Sequence, residues 1–245
     1  GRHFLQIPGP SAVPDRILKA IGQQTIDHRG PDFADVGRKA LEGMKTIFKT
    51  DQHVFIFPAS GTGAWEAALV NSCSPGDKVL MFETGHFASL WNKMARKIGL
   101  EPEFLEGDWR GGAEPDRIEA RLRADKAHEI KAVCVVHNET STGSVSPIAE
   151  VRKAIDAVGH PALLMVDSIS GLGSIDFRFD EWGVDVCVSG SQKGLMLPPG
   201  LSFNAVSARA LEHAKSVTMP RSYWDWHDMV GPNQTGYFPY TPGTN

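Results

Sequence analysis

Val184-Asp185-Val186-Cys187-Val188-Ser189-Gly190-Ser191-Gln192-Lys193-Gly194 reads as a buried strand that runs out into a tight loop of small residues holding one lysine. The apolar run is too short for a helix and too continuous for a half-exposed strand, so it belongs inside a sheet covered on both faces. Lys193 then sits at the carboxyl end of a strand. That is an odd place for a solvated charge and a suitable one for an amine that reaches into a pocket to form a Schiff base with an aldehyde. Taken alone, a surface charge accounts for it as well.

Similar runs recur along the 245 residues. Val54–Phe57, Lys78–Phe82, Ala132–Val136, Ala162–Val166 and Leu201–Val206 read as further strands. Helical stretches separate them: around Ala64–Val70, from Ala88 to Ile98 with Gly99 as the stop, from Pro115 through Leu122, from Pro147 to about Val158, and from Ala208 to about Lys215. Strands alternating with helices predict an α/β fold: a mainly parallel sheet flanked by helices in three layers, α/β/α. Residues 1–27, rich in proline and glycine, are expected to form an extended arm, and residues 28–245 a large domain.

Composition excludes several functions. Net charge is −4 with no basic run, which gives no support for a nucleic-acid or anionic-membrane partner. No apolar stretch is long enough to span a bilayer and no signal peptide opens the chain, so the expectation is a cytoplasmic enzyme. Cys73, Cys134 and Cys187 are odd in number and isolated, two of them inside apolar runs, and are expected to be buried thiols. No His-x-x-x-His pair suggests a zinc site, and none is expected. Ser60 lacks a nucleophile elbow, since Pro58 stands where its first glycine would be.

In an open α/β sheet, ligands collect beyond the carboxyl ends of the strands. Ser60-Gly61-Thr62-Gly63 lies there, between a strand and a helix. Small residues and unpaired N–H groups at a helix start suit a single phosphate, although a plain turn explains the glycines equally. Asp167 directly follows a strand and could hold a cationic ring nitrogen or simply cap a loop. His137-Asn138-Glu139-Thr140 could bind a ligand or build a polar turn. Phe87 could stack on a flat ligand or fill the core. Together these supply what pyridoxal 5'-phosphate requires: a lysine, a carboxylate, an aromatic plate and a phosphate seat.

With those residues in view, the chain resembles the class V, fold-type I pyridoxal-phosphate aminotransferases, and within them the serine–glyoxylate branch. The likeness runs through Pro8-Gly9-Pro10-Ser11, His28-Arg29-Gly30-Pro31, Ser60-Gly61-Thr62-Gly63-Ala64-Trp65-Glu66, His137-Asn138-Glu139-Thr140, Asp180-Glu181-Trp182-Gly183-Val184-Asp185, Gly190-Ser191-Gln192-Lys193 and Tyr240-Thr241-Pro242. It implies that Lys193 carries the Schiff base and that Asp167 meets the ring nitrogen under a stacked Phe87. Thr62, Gly63 and Ala64, helped by Gln192, would hold the phosphate, and Thr140 and Ser168 would lie near the ring. Thr241 would reach the phosphate of a neighbouring subunit in a homodimer or larger homo-oligomer. Pro8–Ser11 and His28–Gly30 would border the substrate entrance.

The implied reaction moves the amino group of serine to glyoxylate, so the small-molecule partners are an amino acid and a 2-oxo acid. Alanine–glyoxylate transfer and a cysteine desulfurase-like lyase are alternatives, the lyase needing a loop cysteine after Lys193. The family carries a further C-terminal domain, with an arginine for the substrate carboxylate, beyond the position of Asn245. The chain is therefore expected to lack that domain, and a large domain that folds or binds cofactor without turnover is the third alternative.

Overall fold

The computed structural model describes residues 4–244, so residues 1–3 of the expected arm and Asn245 lie outside it. Seven strands form one sheet: β1 (His53–Phe57), β2 (Lys78–Phe82), β3 (Glu101–Leu105), β4 (Ile130–Val136), β5 (Leu163–Asp167), β6 (Val186–Gly190) and β7 (Ser202–Val206). Their order is β1-β7-β6-β5-β4-β2-β3. Only β7 runs against its neighbours, pairing antiparallel with both β1 and β6. The mainly parallel expectation holds, with that one strand reversed.

Helices α1 (Asp15–Ile21), α2 (Pro31–Phe48), α3 (Gly61–Ser72), α4 (His86–Lys97), α5 (Pro115–Ala124), α6 (Ile148–Ala157), α7 (Ala208–His213) and α8 (Trp226–Gln234) connect and cover the strands. Successive strand side chains alternate between two faces, and the core divides accordingly. Phe55 and Phe57 pack with α3, α4 and α8 through Ala64, Trp91 and Trp226, whereas Val54 and Ile56 pack with α2, α5 and α6 through Leu41, Leu122 and Val151. Both faces are dry, which is why these strands read as continuous apolar runs. The architecture is the three-layer α/β/α arrangement.

Four elements were not anticipated from the sequence: α1, α2, β3 and α8. The arm is not extended throughout: Asp15–Ile21 is a helix, with Asp15 in its first turn and Lys19 in its last, matched to the helix dipole. It buries none of its residues, so it offered no apolar stripe to read. β3 was unanticipated because it is a charged edge strand, Glu-Pro-Glu-Phe-Leu, in which proline and glutamate are tolerated as they would not be in the sheet centre.

Register delivers the functional residues to one row. Val136 pairs with Asp167, and Asp167 with Val188, so β4 and β5 end level with one another and β6 runs on to Gly190 beside them. The loops that follow these three strands carry Thr140, Ser168 and Lys193. β1 runs parallel to this group, and Ser60 leaves its carboxyl end on the same side of the sheet.

Candidate functional site

Ser60, Gly61, Thr62, Trp65, Phe87, Val136, Asn138, Thr140, Asp167, Ile169, Gln192 and Lys193 line one cavity at the carboxyl ends of the strands. It measures about 120 Å³, and larger hollows of about 280 and 500 Å³ lie at the opposite, amino end of the sheet. Its lining marks it, rather than its size. Among the described residues it brings together the cavity-facing lysine, a buried carboxylate and an aromatic ring.

Asp167 is 3% exposed. Its Oδ1 accepts the Ile169 N–H at 2.7 Å and its Oδ2 accepts the Trp65 indole N–H at 2.8 Å. Burial pushes the carboxyl up to about 7; the two donors and the Lys193 ammonium oppose that rise, while Glu139 adds to it. A carboxylate whose two hydrogen bonds both come from neutral donors is poised to accept a cationic partner.

Lys193 is fixed from outside by the arm. Its Nζ lies 3.4 Å from the Pro8 carbonyl oxygen. Ser11 donates its N–H to the Gln192 carbonyl at 2.8 Å and its hydroxyl to the Lys193 carbonyl at 2.9 Å. Gly9 packs so closely that a Cβ there would come within 2.6 Å of Nζ. Burial lowers the lysine's pKa, with the Asp167 carboxylate working the other way. A larger neutral fraction makes the amine a better nucleophile and base.

The start of α3 is open to an anion. Ser60 makes no side-chain cap, and the first turn carries no acidic residue. At Gly61 a Cβ would lie 2.5 Å from the Ile169 Cδ1, so a larger residue there would have to displace the Ile169 side chain. Gln192 lines the same end of the cavity, and its buried Oε1 has no hydrogen-bond partner. The uncapped, acid-free start of α3 is what fits a phosphate; the Gln192 Oε1 is an acceptor and adds nothing toward an anion.

The structure thus brings together Lys193, Asp167, Phe87, Thr140, Gln192 and Thr62. It does not bring the remaining expected residues into that lining. Gly63 packs against Ala59, with 2.8 Å left for a Cβ, and Ala64 is fully buried with its N–H bonded to the Ser60 carbonyl. Ser168 is buried and faces His137, whose Nδ1 is 3.4 Å from its hydroxyl. Thr241 lines a different hollow with Phe57, Pro58 and Tyr223. Conversely, the sequence reading assigned no individual role to Trp65 or Ile169, and Asn138 entered only as part of the polar stretch His137-Asn138-Glu139-Thr140. A buried indole N–H needs an acceptor, and that was the available signal for Trp65.

All three cysteines are buried and free, and burial pushes each thiol up. Each is therefore poorly placed to act as a loop nucleophile. Among the described residues, no group of three or more His, Cys, Asp or Glu could hold a metal ion. No described helix is long and apolar enough to cross a membrane.

The family described as aminotransferase class-V matches residues 3–225. A serine–glyoxylate aminotransferase of Methylorubrum extorquens is 52% identical over 99% of this chain and 62% of that protein. An L-aspartate–glyoxylate aminotransferase of Paracoccus denitrificans is 50% identical over 96% of this chain and 60% of its own length. The crystal structure of a subgroup IV aspartate aminotransferase from Thermus thermophilus superimposes with a TM-score of 0.87 at 31% identity, covering 96% of this chain and 65% of that one. The chain spans about three fifths of the length of these curated relatives.

Proposed function

The chain belongs to the class-V aminotransferases, and on that premise we propose that it carries the cofactor half of an enzyme moving the amino group of serine to glyoxylate, giving hydroxypyruvate and glycine. In this reading residues 28–245 are the large domain, residues 1–27 are the arm over its site, and the enzyme is cytoplasmic. The observation that carries the reading is a coincidence in one cavity: the Lys193 amine, the Asp167 carboxylate and the uncapped, acid-free start of α3. The relatives named for serine and glyoxylate support the choice of substrates.

The residues present fit pyridoxal 5'-phosphate. Lys193 would hold its aldehyde carbon, Asp167 its ring nitrogen, Phe87 a ring face, and Ser60, Gly61, Thr62 and Gln192 its phosphate. When bound, the cofactor supplies an aldehyde that condenses with amines and a ring that accepts electron density. The protein does the rest. Asp167 would supply the negative charge facing the ring nitrogen. As a free amine, Lys193 Nζ would take the proton from the α-carbon of serine and deliver it again on the way to products. Trp65 and Ile169 keep the Asp167 oxygens aimed, and Ser11 holds the backbone from which Lys193 reaches. Thr241, which lines its own chain's separate hollow, is proposed to complete the phosphate seat of a neighbouring subunit in a homodimer.

A second reading keeps the site and changes the donor, since one relative is named for aspartate. Titration with pyridoxal phosphate, borohydride reduction and peptide mapping test the site, and a half-reaction with serine, aspartate or alanine tests the donor. The expected result is one modified lysine, Lys193, and the fastest half-reaction with serine. A visible absorption band that survives in Lys193→Ala would sink the assignment. Cofactor uptake without reaction with any donor would leave the chain as a binding domain only.

A further inference from the structure

We infer that Glu139 is a positioning residue of the cofactor site, anchoring the start of α4 and thereby the Phe87 ring that faces the Lys193 cavity. The inference rests on the reading above, that this cavity takes a flat cofactor. Glu139 is fully buried, and no ion pair joins it to a cation among the described residues. Its Oε1 accepts the Phe87 N–H at 3.2 Å, the Ser141 N–H at 3.1 Å and the Ser141 hydroxyl at 2.8 Å, and its Oε2 accepts the Ala88 N–H at 3.1 Å. Ser141 Oγ in turn accepts the His86 N–H at 2.9 Å.

These bonds supply from a distance what α4 lacks locally. Its N-cap, Gly85, has no side chain, and its first turn has no acidic residue. Three consecutive N–H groups, those of His86, Phe87 and Ala88, would otherwise be left without intrahelical acceptors. A carboxylate at that point satisfies two of them and sits at the positive end of the helix dipole. Gly85 makes the approach possible: a Cβ there would come 2.6 Å from Glu139 Cγ and 2.6 Å from Ser141 Oγ. The backbone of Phe87 is therefore tied to the loop after β4, which also carries Thr140 into the cavity. A general structural cap would need no link to that loop; this one joins two walls of the same site.

The test uses the full chain with pyridoxal phosphate as probe, comparing the wild type with Glu139→Gln, Phe87→Leu and the double variant. The readouts are cofactor dissociation constant and the visible circular dichroism of the bound cofactor. Glu139→Gln is not a neutral replacement, because the amide nitrogen it introduces would meet an N–H donor. It is expected to weaken cofactor binding roughly tenfold, the scale of one hydrogen bond to a charged group. It should also reduce the dichroic band, and the loss in the double variant should not exceed that of Phe87→Leu alone. Losses that add, or an unchanged dichroic band in a folded Glu139→Gln protein, would overturn the inference while leaving the proposed function standing. Failure of the wild type to bind the cofactor would overturn both. If Glu139→Gln does not fold, Ser141→Ala serves in its place, with the same non-additivity with Phe87→Leu expected and additive losses overturning the inference.

Discussion

Two carboxylates at opposite ends of the sheet are almost equally buried, Asp167 at 3% and Asp185 at 5% exposure. Asp185 sits just before β6 at the amino end, and its counter-charge is built into the fold. Arg209 donates to it at 2.6 and 2.9 Å, Arg152 lies at 3.5 Å, and the Leu164 N–H and Ser207 hydroxyl complete its bonds. Asp167, at the carboxyl end, has two neutral donors and burial has driven its carboxyl up to about 7. One acid is there to hold strands and helices together. The other has no cation hydrogen-bonded to it, and a ligand can provide one.

The comparison breaks if the two acids respond alike to removal. Asp185→Ala leaves Arg209, Arg152 and the Leu164 N–H without their acceptor, and about 3–5 kcal/mol of stability should be lost. Chemical denaturation checks this, and an unchanged midpoint would refute the structural role. Asp167→Asn should instead weaken pyridoxal phosphate binding by about two orders of magnitude, on the scale of removing one member of a buried charge pair. Its unfolding midpoint should change less than that of Asp185→Ala at neutral pH, because an uncompensated charge leaves with the carboxylate. A variant that binds cofactor normally would end the assignment of Asp167.

A pair of histidines repeats the contrast and adds a pH dependence. His160 at the amino end has the Asp125 carboxylate 3.2 Å away. His137 at the carboxyl end has the Ser168 hydroxyl and the Phe177 and Trp182 rings beside it, and burial lowers its pKa to about 4, with the Asp176 carboxylate working the other way. A histidine held neutral in the fold must charge on unfolding in acid. Stability from this group is therefore whole above pH 6.5 and lost as pH falls toward 4. At about 1.4 kcal/mol per pH unit the loss approaches 3 kcal/mol. Asp167 works the opposite way between its unfolded value near 4 and about 7, so the two partly cancel in the wild type. Comparing His137→Gln with the wild type across this range isolates the histidine: the variant should lose ground above pH 6.5 and recover it near pH 4. A constant difference would exclude the mechanism.

How far the sequence disclosed all this depended on where each partner lay. The expectation for Lys78–Phe82 matched β2 to the residue, because its ends coincide with the ends of an apolar run. β5 and β6 instead extend to Asp167 and Gly190, beyond the expected Val166 and Val188, since backbone pairing continues through polar residues. α2 passed unread: its buried Phe33, Leu41, Met44 and Phe48 are spaced among charges across eighteen residues. Lys193, Asp167, Phe87, Thr140, Gln192 and Thr62 were legible as polar or aromatic residues after strands. The roles of Trp65 and Glu139 were not, although Glu139 stood in the polar stretch after β4, because they act across 102 and 52 positions of sequence and no local pattern encodes such a pairing.

Trp65 gives the finest test of the contrast between the acids. If both hydrogen bonds to Asp167 come from neutral donors, removing one of them should shift its titration without collapsing the fold. Trp65→Phe keeps a ring to pack near Trp91, stacked at 6.0 Å, and deletes the indole N–H that reaches Oδ2. The carboxylate then loses one of its two hydrogen bonds, and its pKa should climb further above about 7. Near neutral pH more of it is protonated, and a cationic ring nitrogen meets a weaker partner. The expected cost is about 1–2 kcal/mol in cofactor affinity at pH 7, roughly a tenfold change, shrinking at higher pH as the carboxylate ionises again. Binding isotherms at pH 7 and pH 9 separate this from a packing defect, which would weaken binding equally at both.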